Sequence, residues 1–190
     1  LLAAGSATGR QTLRPPAVPL VAHDPYFSTW ACADRLTDDW PRHWTGKTMG
    51  LCGMVRIDGH PFRWCGPDAM RIPAMEQKSI AVTPLTSTYE FAAAGVGLTV
   101  RFISSADAGV PDSPPLTTLS LEARPLDGGA HQVAFYADFS AEWCVNTPEQ
   151  KVRWSRARVG EQDVLMFASQ DQPVLEKRGD DLRIDWGSFM

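Results

Sequence analysis

A chain of 190 residues holds one large domain or two small ones, and one is favoured. Hydrophobic residues at 44% and charged residues at 21% give the balance of a globular protein, not a disordered one. With 18 basic against 22 acidic side chains the net charge is −4, which argues against a nucleic-acid groove or a polybasic membrane surface.

Residues 1–12 read as a signal-peptide remnant or disordered leader. Leu1-Leu2-Ala3-Ala4-Gly5-Ser6-Ala7 resembles an apolar stretch running into a small-residue cleavage site, which favours export. Residues 13–190 read as one β-domain, and the missing initial Met suggests a piece of something longer. No other apolar run approaches the roughly 20 residues needed to span a bilayer. Arg14-Pro15-Pro16 is an extended lead-in. His23 to Gly50 then shows no sustained period and carries Trp30, Trp40, Trp44, Tyr26 and Phe27. An irregular stretch this rich in aromatics marks a site or an interface.

From residue 52 onward apolar residues alternate with polar ones, the signature of strands with one buried face. The runs are Leu98-Val100-Phe102, Leu119-Leu121-Ala123, Val133-Phe135-Ala137-Phe139 and Leu182-Ile184-Trp186. Asp58-Gly59 and Asp127-Gly128-Gly129 both predict hairpin turns, and Gly95-Val96-Gly97 reads as a turn. Ser105 to Pro115 is a Pro-rich surface excursion. Ser140 to Gln150 is a second irregular stretch, with Glu142, Trp143 and Asn146. With no amphipathic helix of three turns, the fold class is an all-β antiparallel β-sandwich.

Known catalytic signatures are absent: no Gly-x-Ser-x-Gly elbow, no His-Glu-x-x-His helix and no phosphate loop. Cys32, Cys52, Cys65 and Cys144 lack zinc-finger spacing and read as buried small hydrophobes in preference to disulfides. No metal or cofactor is expected. His23-Asp24 could be a base with its orienting carboxylate, but a structural Asp24 bonding nearby amides is preferred. Asp38-Asp39 reads as a solvated pair. Glu142 beside Trp143 is a candidate general acid. The aromatics of His23–Gly50 could stack on sugars or bases, close the end of the sandwich, or pack on a neighbouring domain, the preferred reading. Binding or interdomain candidates are therefore Asp24, Tyr26, Trp30, His43, Trp44, Glu142, Trp143 and Asn146, with no catalytic residue assigned.

Several blocks together resemble one family. His23-Asp24-Pro25-Tyr26-Phe27-Ser28-Thr29-Trp30, His43-Trp44-Thr45-Gly46, Ala141-Glu142-Trp143 with Asn146-Thr147-Pro148-Glu149-Gln150, and Gly179-Asp180-Asp181-Leu182-Arg183-Ile184-Asp185-Trp186-Gly187 resemble glutaminase A-type proteins. The resemblance runs in order from about Leu13 to the last residues. It implies a secreted or periplasmic enzyme converting L-glutamine to L-glutamate and ammonia, with an N-terminal β-sandwich and a helical toroid. The partner implied is that C-terminal helical domain, missing here, and the substrate a small molecule. An alternative is an accessory or sugar-binding sandwich of a carbohydrate-active parent.

Overall fold

The computed structural model describes residues 14–68, 71–105 and 115–190. The leader expected over residues 1–12 and most of the Ser105–Pro115 excursion lie outside the described residues. Regular structure begins with β1 (Val18–Asp24) and β2 (Phe27–Ala31), a hairpin turning through Pro25 and Tyr26. β3 (Leu51–Ile57) and β4 (His60–Cys65) follow, joined at Asp58-Gly59 with φ of 49° and 89°. That left-handed pair is what a two-residue hairpin turn needs. Next come β5 (Glu76–Val82), β6 (Thr86–Ala93), β7 (Val96–Ser104) and β8 (Thr117–Pro125), then β9 (Val133–Phe139). A single 3-10 turn, Ala141–Cys144, precedes β10 (Val152–Val159) and β11 (Gln162–Ser169).

The strands pair antiparallel as two main sheets, β5-β6-β7-β8 and β4-β3-β9, with β1-β2 and β10-β11 as separate ribbons. All-β sandwich packing follows from the alternation. Tyr89 and Phe91 on β6 face Val100 and Leu98 on β7, and Leu121 and Ala123 on β8 continue the same row. Leu51, Val55 and Ile57 on β3 supply the opposing face, and all these sets join one core with Val18 and Leu20 of β1. Each fully buried aliphatic of this kind contributes about 1.5–3 kcal/mol. Gly53 on β3 leaves room for Trp64: a Cβ there would lie 2.3 Å from the indole. The indole is wholly buried and donates Nε1–H to Met54 O at 3.1 Å.

Four expectations need correction. Asp127-Gly128-Gly129 does not close a hairpin. β8 belongs to one sheet and β9 pairs with β3 in the other, so the turn carries the chain across the sandwich. His131 anchors that crossover, bonding Asp58 at 2.7 Å and Asp127 at 3.0 Å. Leu182–Trp186 forms no strand, and its buried members are Arg183 and Asp185, not Leu182, Ile184 and Trp186. Side chains have taken its backbone partners: Arg183 N donates to Asn146 Oδ1 at 3.0 Å, and Ser169 Oγ donates to Asp185 O. The His23–Gly50 stretch is not wholly irregular, since it holds the end of β1, all of β2 and bridges linking Trp30, Arg42 and Thr48. The four cysteines are free; Cys65 and Cys144 are buried as expected, but Cys32 is exposed.

Candidate functional site

The turn between β1 and β2 organises the candidate residues. Pro25 has no N–H to offer, so the turn is tied by its neighbours: Asp24 Oδ1 accepts from Tyr26 N at 2.7 Å and Phe27 N at 3.0 Å. Pro25 O in turn accepts from His43 Nε2 at 3.0 Å and from the Trp44 indole. Because that carbonyl can only accept, the His43 proton sits on Nε2, and Nδ1 accepts from Thr45 Oγ1 at 2.9 Å. Burial depresses the His43 pKa, aided by the Arg183 and Lys47 charges, so the ring is neutral at pH 7.

The other irregular stretch is locked just as firmly. Trp143 is 1% exposed and donates to Gly50 O at 2.8 Å. Glu142 Oε2 accepts from Gly50 N at 3.0 Å and Ser140 Oγ at 2.6 Å, a role in holding loops together. Asn146 is buried and accepts on Oδ1 from Arg183 N and, at 3.3 Å, from Lys47 Nζ. Arg183 passed unnoticed in the sequence. Its guanidinium is buried and donates to Thr48 O, Glu142 O and Asn146 O at 2.8, 3.2 and 2.8 Å. An arginine spaced between leucine and isoleucine gave no sign of such a socket.

The eight candidates thus divide. His43, Trp143 and Asn146 are sealed by their own chain, and Trp30 and Glu142 are partly covered. Asp24, Tyr26 and Trp44 remain open to solvent, Tyr26 at 45% and Trp44 at 51% exposure. These three surround concave surface. A shallow groove of about 410 Å³ runs between Trp30, Trp44 and His23. A second, of about 490 Å³, lies among Tyr26, Leu175, Lys177 and Arg183 and has charged side chains in a largely apolar wall. A third, also about 490 Å³, is apolar, with Phe27, Phe102, Leu119, Phe139 and Trp143 in its walls. Asp24 borders all three.

His23 does not form a dyad with Asp24. Its Nε2 meets Thr117 Oγ1 at 3.1 Å, and its ring stacks on Phe27 at 5.9 Å. Burial lowers its pKa, opposed by the Asp24 charge. The pair lacks a group orienting Nδ1 among the described residues, the third member that activates a hydroxyl. Asp39 is bound to Arg42, whose guanidinium holds the carboxyl below its ordinary pKa, so the Asp38-Asp39 pair is not simply solvated.

Comparison with known proteins places this architecture. Residues 85–190 match a family described as a domain of unknown function, DUF5127, and residues 4–77 match a second such domain, DUF4964. The chain is 31% identical over 161 residues to glutaminase A of Aspergillus oryzae, covering 80% of this chain and 23% of that protein. It is 24% identical over 173 residues to a probable glutaminase of Arthroderma benhamiae, covering 80% of this chain and 20% of that protein. The chain therefore spans about a quarter or less of the length of these relatives. No solved structure matches it. With more than half its residues matched by one family and a glutaminase A-like sequence along most of its length, the chain belongs to the DUF5127 family of glutaminase A-like proteins.

Proposed function

We propose that this chain is the N-terminal β-sandwich module of a longer, exported amidohydrolase that converts L-glutamine and water to L-glutamate and ammonia. The likeness to glutaminase A over 80% of the chain carries the reading. The module itself is non-catalytic. Amide hydrolysis needs an activated nucleophile and donors for the oxyanion, whereas His23, His43 and His131 are each engaged in bonds that hold the sandwich together. Chemistry belongs to a helical domain, and the Asp24–Tyr26 turn with Trp44 forms the face that packs on it and rims its active site. The small-residue stretch at positions 1–7 supports a secreted or periplasmic location.

The test is ammonia release from L-glutamine by the full-length protein and by residues 1–190 separately. Turnover by the full-length protein alone is expected; turnover by the 190-residue chain would place catalysis inside the sandwich. A second reading, sugar binding by this module, has one specific observation in its favour. Trp30 and Trp44 flank the shallow groove, and both indole N–H groups are already bonded within the chain, to Ser28 Oγ and Pro25 O. That leaves ring faces for stacking. Titration with oligosaccharides, read by tryptophan fluorescence and lost in Trp44→Ala, would favour it.

A further inference from the structure

Near its C-terminal end the chain runs back beside β11. Phe167 N donates to Phe189 O at 3.0 Å, and Phe189 N donates to Phe167 O at 2.9 Å, an antiparallel bridge. Side chains guide the approach. The Gln172 amide donates to Gly187 O at 3.0 Å and accepts from Gly187 N at 2.7 Å, copying a strand pairing. The Phe189 ring then packs 4.7 Å from Phe167 and 5.3 Å from both Phe139 and Trp143, fixing the returning segment on the body.

The bridge reveals which way the edge of β11 faces. Phe167 turns both backbone groups away from β10, so Leu165 and Asp163, two and four residues earlier, present theirs on the same side. Among the described residues no strand pairs with that edge beyond Phe167. The ribbon is uncovered as well as unpaired: all eight residues of β10 are exposed, Trp154 at 78%, and Leu165 on β11 is 61% exposed. A two-stranded ribbon in this state is marginal, and its open edge invites another strand.

We propose that, in the full-length protein, the polypeptide following residue 190 continues along β11 as a third strand. Its first and third residues pair with Leu165 and Asp163. The Phe167–Phe189 bridge already sets the direction and register, so continuation needs no new turn. Relatives of which this chain covers only 23% and 20% are several times its length and hold polypeptide beyond the matched module. The inference rests on the chain being a module of a longer protein and is independent of what that protein hydrolyses.

Hydrogen exchange of the full-length protein, resolved to single amides, tests it. Leu165 and Asp163 are expected to exchange about a hundredfold or more slower than an unprotected peptide, independent of protein concentration. Exchange at the unprotected rate overturns the proposal. So does protection that disappears on dilution, which would assign the edge to a second copy. Leu165→Pro removes only the outward N–H and leaves the β10 ladder bonds; it is expected to abolish protection at Asp163, and retained protection counts against the third strand. Ammonia release measured on the same sample bears on the glutaminase reading alone, so the two can fail separately.

Discussion

Arg183 is a guanidinium buried with no carboxylate in ion-pair range among the described residues, its charge met by three carbonyls. Burial pulls its pKa down, opposed by the Glu142 charge. Arg183→Met should cost about 3 kcal/mol, because Thr48, Glu142 and Asn146 would each lose a donor inside the protein. Arg183→Lys should recover only part, since an ammonium lacks the planar fork; urea midpoints of the two variants measure both. His131 gives a pH-dependent counterpart. Asp58 first and then Asp127 raise its pKa from 6.5; its bond is the main cause that lowers Asp58 from 3.8, while Asp127 is lowered first by the Gly129 N–H and then by His131. A raised histidine stabilises fully below its unfolded pKa and loses this as pH climbs through the folded one; a lowered carboxylate loses its share as pH falls. The clamp is therefore complete from about pH 4 to 6.5. His23 and His43 have lowered pKa values and act in the opposite sense, so the wild-type profile alone is mixed. The Tm difference between wild type and His131→Gln isolates the clamp: it should be largest in that window and shrink above it.

At the scale of elements, β3 depends on a glycine in the middle of a strand. Gly53→Ala puts a methyl into the buried Trp64 indole, which has no space to move, and should cost about 2 kcal/mol or more by denaturant unfolding. How much of such a strand could be read beforehand depends on whether its partner faces are local. β7 and β8 were legible because Leu98-Val100-Phe102 and Leu119-Leu121-Ala123 alternate cleanly against one core. The Asp24 turn was legible because its bonds reach only two and three residues ahead. Leu182–Trp186 misled for the converse reason. Its alternation is real, but Asn146, Thr48 and Ser169 meet the polar members and bury them instead. β10 was invisible: Val152-Arg153-Trp154-Ser155-Arg156-Ala157-Arg158-Val159 has no buried face in this structure, hence no period to find. The convergence of His43 and Trp44 on Pro25 O spans 18 and 19 residues, beyond any local pattern.

Over the whole molecule, Asp58, Arg71, Ala94 and Leu175 are exposed non-glycine residues at positive φ among the described residues, and Leu175 is the large apolar one. Leu175 is a bulky residue held at φ of 55°, a conformation that costs a non-glycine residue about 1–2 kcal/mol. It is nevertheless 76% exposed and shares a groove with Tyr26. The turn that holds it is closed by Glu176 N donating to Pro173 O at 3.3 Å, but the leucine side chain itself stays largely open to solvent and gains little from packing. A partner surface closing over Tyr26, Trp44 and Leu175 would offset the cost, as strained residues at interfaces are sustained by what they dock against. Leu175→Gly separates the two effects. Removing the strain should stabilise the sandwich by about 1 kcal/mol, read as a later transition for this module. If a partner surface docks there, the same change removes one of its contacts, so in the full-length protein it should split one cooperative melt into two. A full-length melt that stays single and simply moves upward would mean that this face meets only water.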